Sequence, residues 1–95
     1  MRNPDFAQAL GDNIHRARKK AGMSQEELAF RAGIHRTAVG QLERGERAPY
    51  AETVVRLAGV MGIPPSVLLD GLSWRPIAYV EGGMQVKNDQ DEEQP

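Results

Sequence analysis

The segment from Ser24 to Gly45 limits what this chain can fold into more than any other. Ser24 and Glu27 stand in the S-x-x-E spacing of a capping box, which satisfies backbone N–H groups left free at a helix start. Met23 and Leu28 fall where a hydrophobic staple closes over that cap. Gly33 falls where a helix end needs a left-handed residue without steric cost. Ile34 and Val39 are placed to staple a following helix, and Gly45 to end it. The spacing therefore predicts two short helices, about 25–32 and 36–44, joined by a tight turn.

The flanking sequence supplies surfaces for this pair to pack against. Pro4 and Asp5 suit a helix start. Phe6, Leu10, Ile14, Ala17 and Ala21 then recur at three- and four-residue steps, predicting one apolar face. Gly11 weakens that helix by about 1 kcal/mol relative to Ala, and Gly22 ends it. After a turn at Glu46 to Pro49, Val54, Leu57, Ala58 and Met61 mark a fourth helix over about 51–61. Pro64-Pro65 open a short fifth, in which Val67, Leu68 and Leu72 close the core. The fold class is all-α: a compact five-helix domain.

After Ser73 the pattern changes. Pro76 to Val80 is β-branched and aromatic, Gly82-Gly83 signals a two-residue loop, and Met84 to Lys87 returns. This predicts a short C-terminal β-hairpin with Tyr79 opposite Val86. Trp74 reads as a packing anchor at the end of the helical domain. Asn88 to Pro95 is polar and acidic and reads as disordered. The expected organisation is a domain over 1–72, a hairpin extension over 73–87 and a tail over 88–95.

Composition excludes several classes. The 95 residues include no cysteine, so disulfides and thiolate metal sites are ruled out. His15 and His35, the only histidines, have no metal-ligand spacing, and no metal or cofactor is expected. Neither a phosphate-binding glycine loop nor a H-E-x-x-H motif is present, and an enzyme is not expected. No apolar run is long enough for a membrane span and no secretory signal is read, so the expected location is the cytoplasm. The net charge of −1 conceals an asymmetry. Residues 1–72 carry ten Lys/Arg and eight Asp/Glu, whereas 73–95 carry two and five. The helical part is mildly basic, with clusters at Arg16 to Lys20 and Arg44 to Arg47.

From Leu10 to Leu72 the chain resembles the phage-repressor-like helix-turn-helix family, the Cro/cI and XRE-type regulators. The residues that carry the likeness are Ile14, Arg18, Ser24 to Ala29, Ala32-Gly33-Ile34, the run Val39 to Gly45 in the form V-G-Q-L-E-R-G, Pro49, Leu57-Ala58 and Met61-Gly62-Ile63. The resemblance implies a five-helix lambda-repressor-like domain that binds double-stranded DNA as a dimer and regulates transcription. It assigns base reading to Arg36, Thr37 and Gln41, and gives Gln25 a phosphate to hold and the third helix to brace. Ser24, His35, Arg44 and Arg47 are further phosphate candidates. Arg18 and Glu43 match positions that form a buried structural ion pair.

Helical geometry agrees with this assignment. Arg36, Thr37, Gly40, Gln41 and Arg44 share one outward stripe, opposite Ala38, Val39 and Leu42. Arg can grip guanine O6/N7, Gln can grip adenine, and a Thr methyl can pack on thymine. Three positions depart from the family pattern. His35 is a weaker cap than Ser or Thr, Gly40 offers no side-chain contact, and Tyr50 replaces a usual capping residue. The predicted function is a sequence-specific repressor, binding a pseudo-palindromic operator as a homodimer with half-sites about 34 Å apart or a multiple of that. Ile77, Tyr79 and Val86 are the expected dimer contacts, with the fifth helix as the alternative dimer surface. Two other readings fit the same fold: an antitoxin with a toxin partner, and an interaction adaptor that has lost DNA binding.

Overall fold

The computed structural model describes residues 4–74, 76–80 and 83–86. Five helices form in the expected order: α1 (Pro4–Lys20), α2 (Gln25–Ala32), α3 (Arg36–Glu43), α4 (Ala51–Met61) and α5 (Pro65–Leu68). Two short strands follow, β1 (Ile77–Val80) and β2 (Gly83–Val86).

Most local signals act as their chemistry requires, but only the Ser24 half of the capping box forms. Ser24 Oγ accepts from the Glu27 N–H at 3.0 Å, while the Glu27 carboxylate pairs with Arg31 one turn on. Gly33 adopts φ 73° and closes α2. Its N–H bonds to Phe30 O and the Ile34 N–H bonds to Ala29 O, the paired bonds that satisfy the last carbonyls of a helix. His35 caps α3: its Nδ1 accepts from the Thr37 N–H at 3.2 Å. Tyr50 sits at the start of α4 without a side-chain cap bond.

The core is aliphatic. Leu10 and Ile14 of α1, Leu28 of α2, Val39 and Leu42 of α3, Leu57 of α4 and Leu68 of α5 are fully buried and pack as one cluster. Removing such side chains from water is the main favourable term in folding. Gly11 lies in the α1–α3 seam. A Cβ there would stand 2.2 Å from the Leu42 carbonyl oxygen, so the residue that weakens α1 in isolation is what lets the end of α3 approach it. Two residues on from Gly11, Asn13 Nδ2 donates to the Leu68 and Asp70 carbonyls at 2.9 Å and ties α5 down.

Several expected core positions differ. On α1 the buried face runs through Ala7, Leu10, Gly11 and Ile14; Phe6 is exposed at its edge and Ala21 lies beyond the helix end in solvent. A helix only four residues long turns one narrow face inward, so α5 buries Leu68 and leaves Val67 exposed. Ala38 is half-buried beside a small cleft under Arg47, Pro49 and Tyr50. Trp74 is 73% exposed and does not anchor the helical domain. The hairpin pairs Ile77 with Val86, Tyr79 with Met84 and Val80 with Gly83, two residues out of the expected register. The proposed interface side chains of Ile77, Tyr79 and Val86, and the tail over 88–95, lie outside the described residues.

Candidate nucleic-acid interface

The seam behind α3 holds a buried polar network. Arg18 donates from Nε to Glu43 Oε2 at 2.6 Å and from Nη2 to Oε1 at 3.0 Å. The two side chains are 8% and 4% exposed. Arg18 Nη1 also donates to the Met23 carbonyl at 2.8 Å. Gln25 Nε2 donates to Glu43 Oε1 at 3.0 Å. His15 Nδ1 stands 3.0 Å from the same oxygen and 3.3 Å from Arg18 Nη2; it donates to the carboxylate when it carries the proton and accepts from the guanidinium when it does not. Burial pushes the Glu43 carboxyl up, but the bonds from Arg18, His15 and Gln25 and the Arg18 charge outweigh it and hold the group below the ordinary carboxylate range.

This network fixes the angle between α2 and α3, and between them an open cleft of about 880 Å³ forms. Its lining brings together Ser24 and Gln25 from the start of α2 with Arg36, Thr37, Gly40 and Arg44 from α3. The first turn of α2 thus faces one side of α3, and free helix-end N–H groups meet an exposed basic stripe. Gly40 is buried under two long side chains. A Cβ on it would lie 3.0 Å from Arg44 Nη1 and 3.7 Å from Gln25 Oε1. Its bare backbone is the floor across which Arg44 and Gln25 lie.

Five of the expected DNA-contacting residues therefore meet in one cleft: Ser24, Gln25, Arg36, Thr37 and Arg44. Gln41 is half-buried on α3, and His35 is exposed at the start of the helix. The His35 cap occupies Nδ1 as an acceptor and leaves Nε2 as the donor. Arg47 lies apart, lining the smaller cleft with Ile34, Pro49 and Tyr50. Lys19 lines the main cleft as well, and the run Arg16 to Lys20 was its signal in the sequence. His15 had no such signal, because its partner Glu43 is on a different helix. Both exposed arginines of the cleft carry a carboxylate in contact. Arg36 pairs with Glu26, and Arg44 pairs with Glu46 at 2.6 Å, which raises the Arg44 pKa.

The arrangement coincides with a known family. The helix-turn-helix family HTH_3 matches residues 14–68, which span the end of α1 and all of α2 to α5. The chain belongs to it. Among relatives of this helix-turn-helix protein, the control protein C.BamHI of Bacillus amyloliquefaciens is 36% identical over 62 residues, covering 64% of this chain and 76% of the relative. The restriction-modification controller protein C.AhdI of Aeromonas hydrophila superposes with a TM-score of 0.64 at 35% identity, over 65% of this chain and 94% of that one. The P22 c2 repressor, solved in complex with a synthetic operator, superposes with a TM-score of 0.60 at 32% identity, over 65% of this chain and 94% of that one. Among the described residues no group of His, Asp and Glu could hold a metal, and no helix is long and apolar enough to cross a membrane.

Proposed function

We propose that this DNA-binding transcriptional regulator is a sequence-specific repressor that places α3 in the major groove and carries out no catalysis. The observation that carries the reading is the cleft between the start of α2 and the outer face of α3, where Ser24, Gln25, Arg36, Thr37 and Arg44 converge. Arg36 and Thr37 occupy the first turn of α3, the part of a recognition helix that reaches base edges. In this reading Arg36 binds guanine O6/N7, Thr37 packs on a thymine methyl and Gln41 pairs with adenine. Ser24, Gln25, His35, Arg44 and Arg47 hold phosphates on either side and set the register.

One α3 reads only a few base pairs, and the net charge of the helical part gives a modest electrostatic pull. Useful discrimination therefore calls for two copies on a pseudo-palindrome, with half-sites about 34 Å apart or a multiple of that. In this reading the protein is a homodimer whose 1–72 domain binds DNA in the cytoplasm, and the extension after Ser73 contributes to pairing. Selection of bound duplexes from a random pool should return an inverted repeat. Arg36→Ala should then lose about 1–3 kcal/mol on that site and relax choice at one base pair, whereas Arg44→Ala should weaken all sequences alike. Retention of full site selection by Arg36→Ala overturns the base-reading assignment.

A further inference from the structure

Arg36, the first residue of α3, donates from Nη1 to Glu26 Oε2 on the first turn of α2. The two side chains are 65% and 67% exposed, and both line the cleft. A pair this open to water adds little to folding. Its consequence lies in what Arg36 is free to bind. The first turn of a helix favours negative charge, and Glu26 already supplies one at the place where a DNA phosphate approaches Ser24 and Gln25. The Arg44–Glu46 pair differs: it is equally exposed, but Glu46 is not among the residues lining the cleft.

We infer that Glu26 is a specificity-determining residue, which holds Arg36 toward a guanine edge and opposes its use on the phosphate backbone of unselected DNA. A guanidinium has five N–H donors, and the contact with Glu26 occupies one edge of it. The remaining donors suffice for the bidentate grip on guanine O6/N7. Those guanine atoms carry partial charges, whereas a phosphate carries a full one. A carboxylate beside Arg36 therefore penalises phosphate contact more than guanine contact. The penalty falls on non-specific binding, and the ratio of specific to non-specific affinity rises. The inference rests on the reading of Arg36 as a base-contacting residue.

Glu26→Gln keeps the shape and removes the charge. The test measures binding of the full chain to a site selected from a random pool and to a random-sequence duplex, across a salt series, for Glu26→Gln, Arg36→Ala and the double variant. Melting curves check that each is folded. Glu26→Gln should bind the random duplex about fivefold tighter, with a salt slope steeper by about 0.9 as Arg36 gains a phosphate. Its affinity for the selected site should change by less than about twofold, and the gain on random DNA should vanish in the Arg36→Ala background. An equal gain on both duplexes, no change on either, or a loss confined to the selected site overturns the role of Glu26. If Arg36→Ala weakens the selected site while Glu26→Gln changes neither duplex, only the Glu26 inference falls. If Arg36→Ala leaves the selected site untouched, the base-reading assignment falls and takes this inference with it.

Discussion

Two arginine–carboxylate pairs flank α3, and burial separates their roles. Arg18 and Glu43 lie behind the helix, shielded from water and joined by two hydrogen bonds, with Gln25 and His15 completing the set around the carboxylate. Arg36 and Glu26 lie in front of it, open to solvent and joined at one edge. Behind α3, removing one partner leaves a charge in a place that cannot solvate it, so the pair behaves as a structural joint. In front, the pair is open to water and adds little to folding, and the arginine keeps donors free for DNA beside its carboxylate. The same two functional groups therefore lock an angle in one setting and tune recognition in the other.

The most severe test of this contrast is Glu43→Gln. It leaves the Arg18 guanidinium buried without a counter-charge and should cost about 3–5 kcal/mol in urea denaturation. The effect has a pH signature. The folded Glu43 carboxyl titrates below its unfolded value, which is about 4.3 for a free glutamate. Its stabilisation is thus present above that value and is lost as pH falls through the lowered folded value. The stability gap between the native chain and Glu43→Gln should narrow in acid below about pH 4.3; a gap independent of pH would remove the ionised carboxylate from the explanation.

Next in size is Gly11→Ala, in the same seam. The new methyl would meet backbone oxygens of Leu42 and Glu43, which cannot swing aside, and should cost about 1–3 kcal/mol. Gly40→Ala sharpens the comparison from the front of α3. There the nearest atom is the end of the flexible Arg44 side chain. Helix propensity then favours the variant by about 0.5–1 kcal/mol, while Arg44 is displaced from the α3 backbone. A thermal melt that rises for Gly40→Ala and falls for Gly11→Ala would confirm that the two faces differ as described. The smallest effect is expected for Arg36→Ala, whose melting should match the native chain within about 0.5 kcal/mol. A larger loss would make the Arg36–Glu26 pair part of the scaffold.

Much of the helical fold could be read without tertiary information. The α2 and α4 boundaries agree with the expected ranges, because Ser24, Gly33 and Gly62 act on backbone groups within one turn of themselves. The same locality placed Arg36, Thr37 and Arg44 on an exposed face of α3. Phe6, Val67 and Trp74 were misjudged because apolar character records what a side chain prefers and not whether a neighbouring element comes to cover it. The hairpin was legible as a hairpin, but its register depends on which two residues the loop takes, and the adjacent Gly82 and Gly83 allowed more than one choice. His35 serves as the cap of α3 through an imidazole nitrogen, with a bond of 3.2 Å against 3.0 Å for the Ser24 hydroxyl.

The sequence by itself determined the order of the helices, their caps and the outward stripe of α3, because each depends on residues a few positions apart, where chain geometry allows few alternatives. The family resemblance carried by those residues also anticipated the Arg18–Glu43 pair. Only the tertiary structure decided that Gly11 is the close-contact point of α1 and α3, that His15 and Gln25 share Glu43, that Gly40 is the floor beneath Arg44, and that Glu26 faces Arg36. Apart from the Gly40–Arg44 contact within α3 and its cap, each of these joins atoms from different helices. Their meeting depends on how the helices cross, and the crossing is set by the packing of the whole core at once.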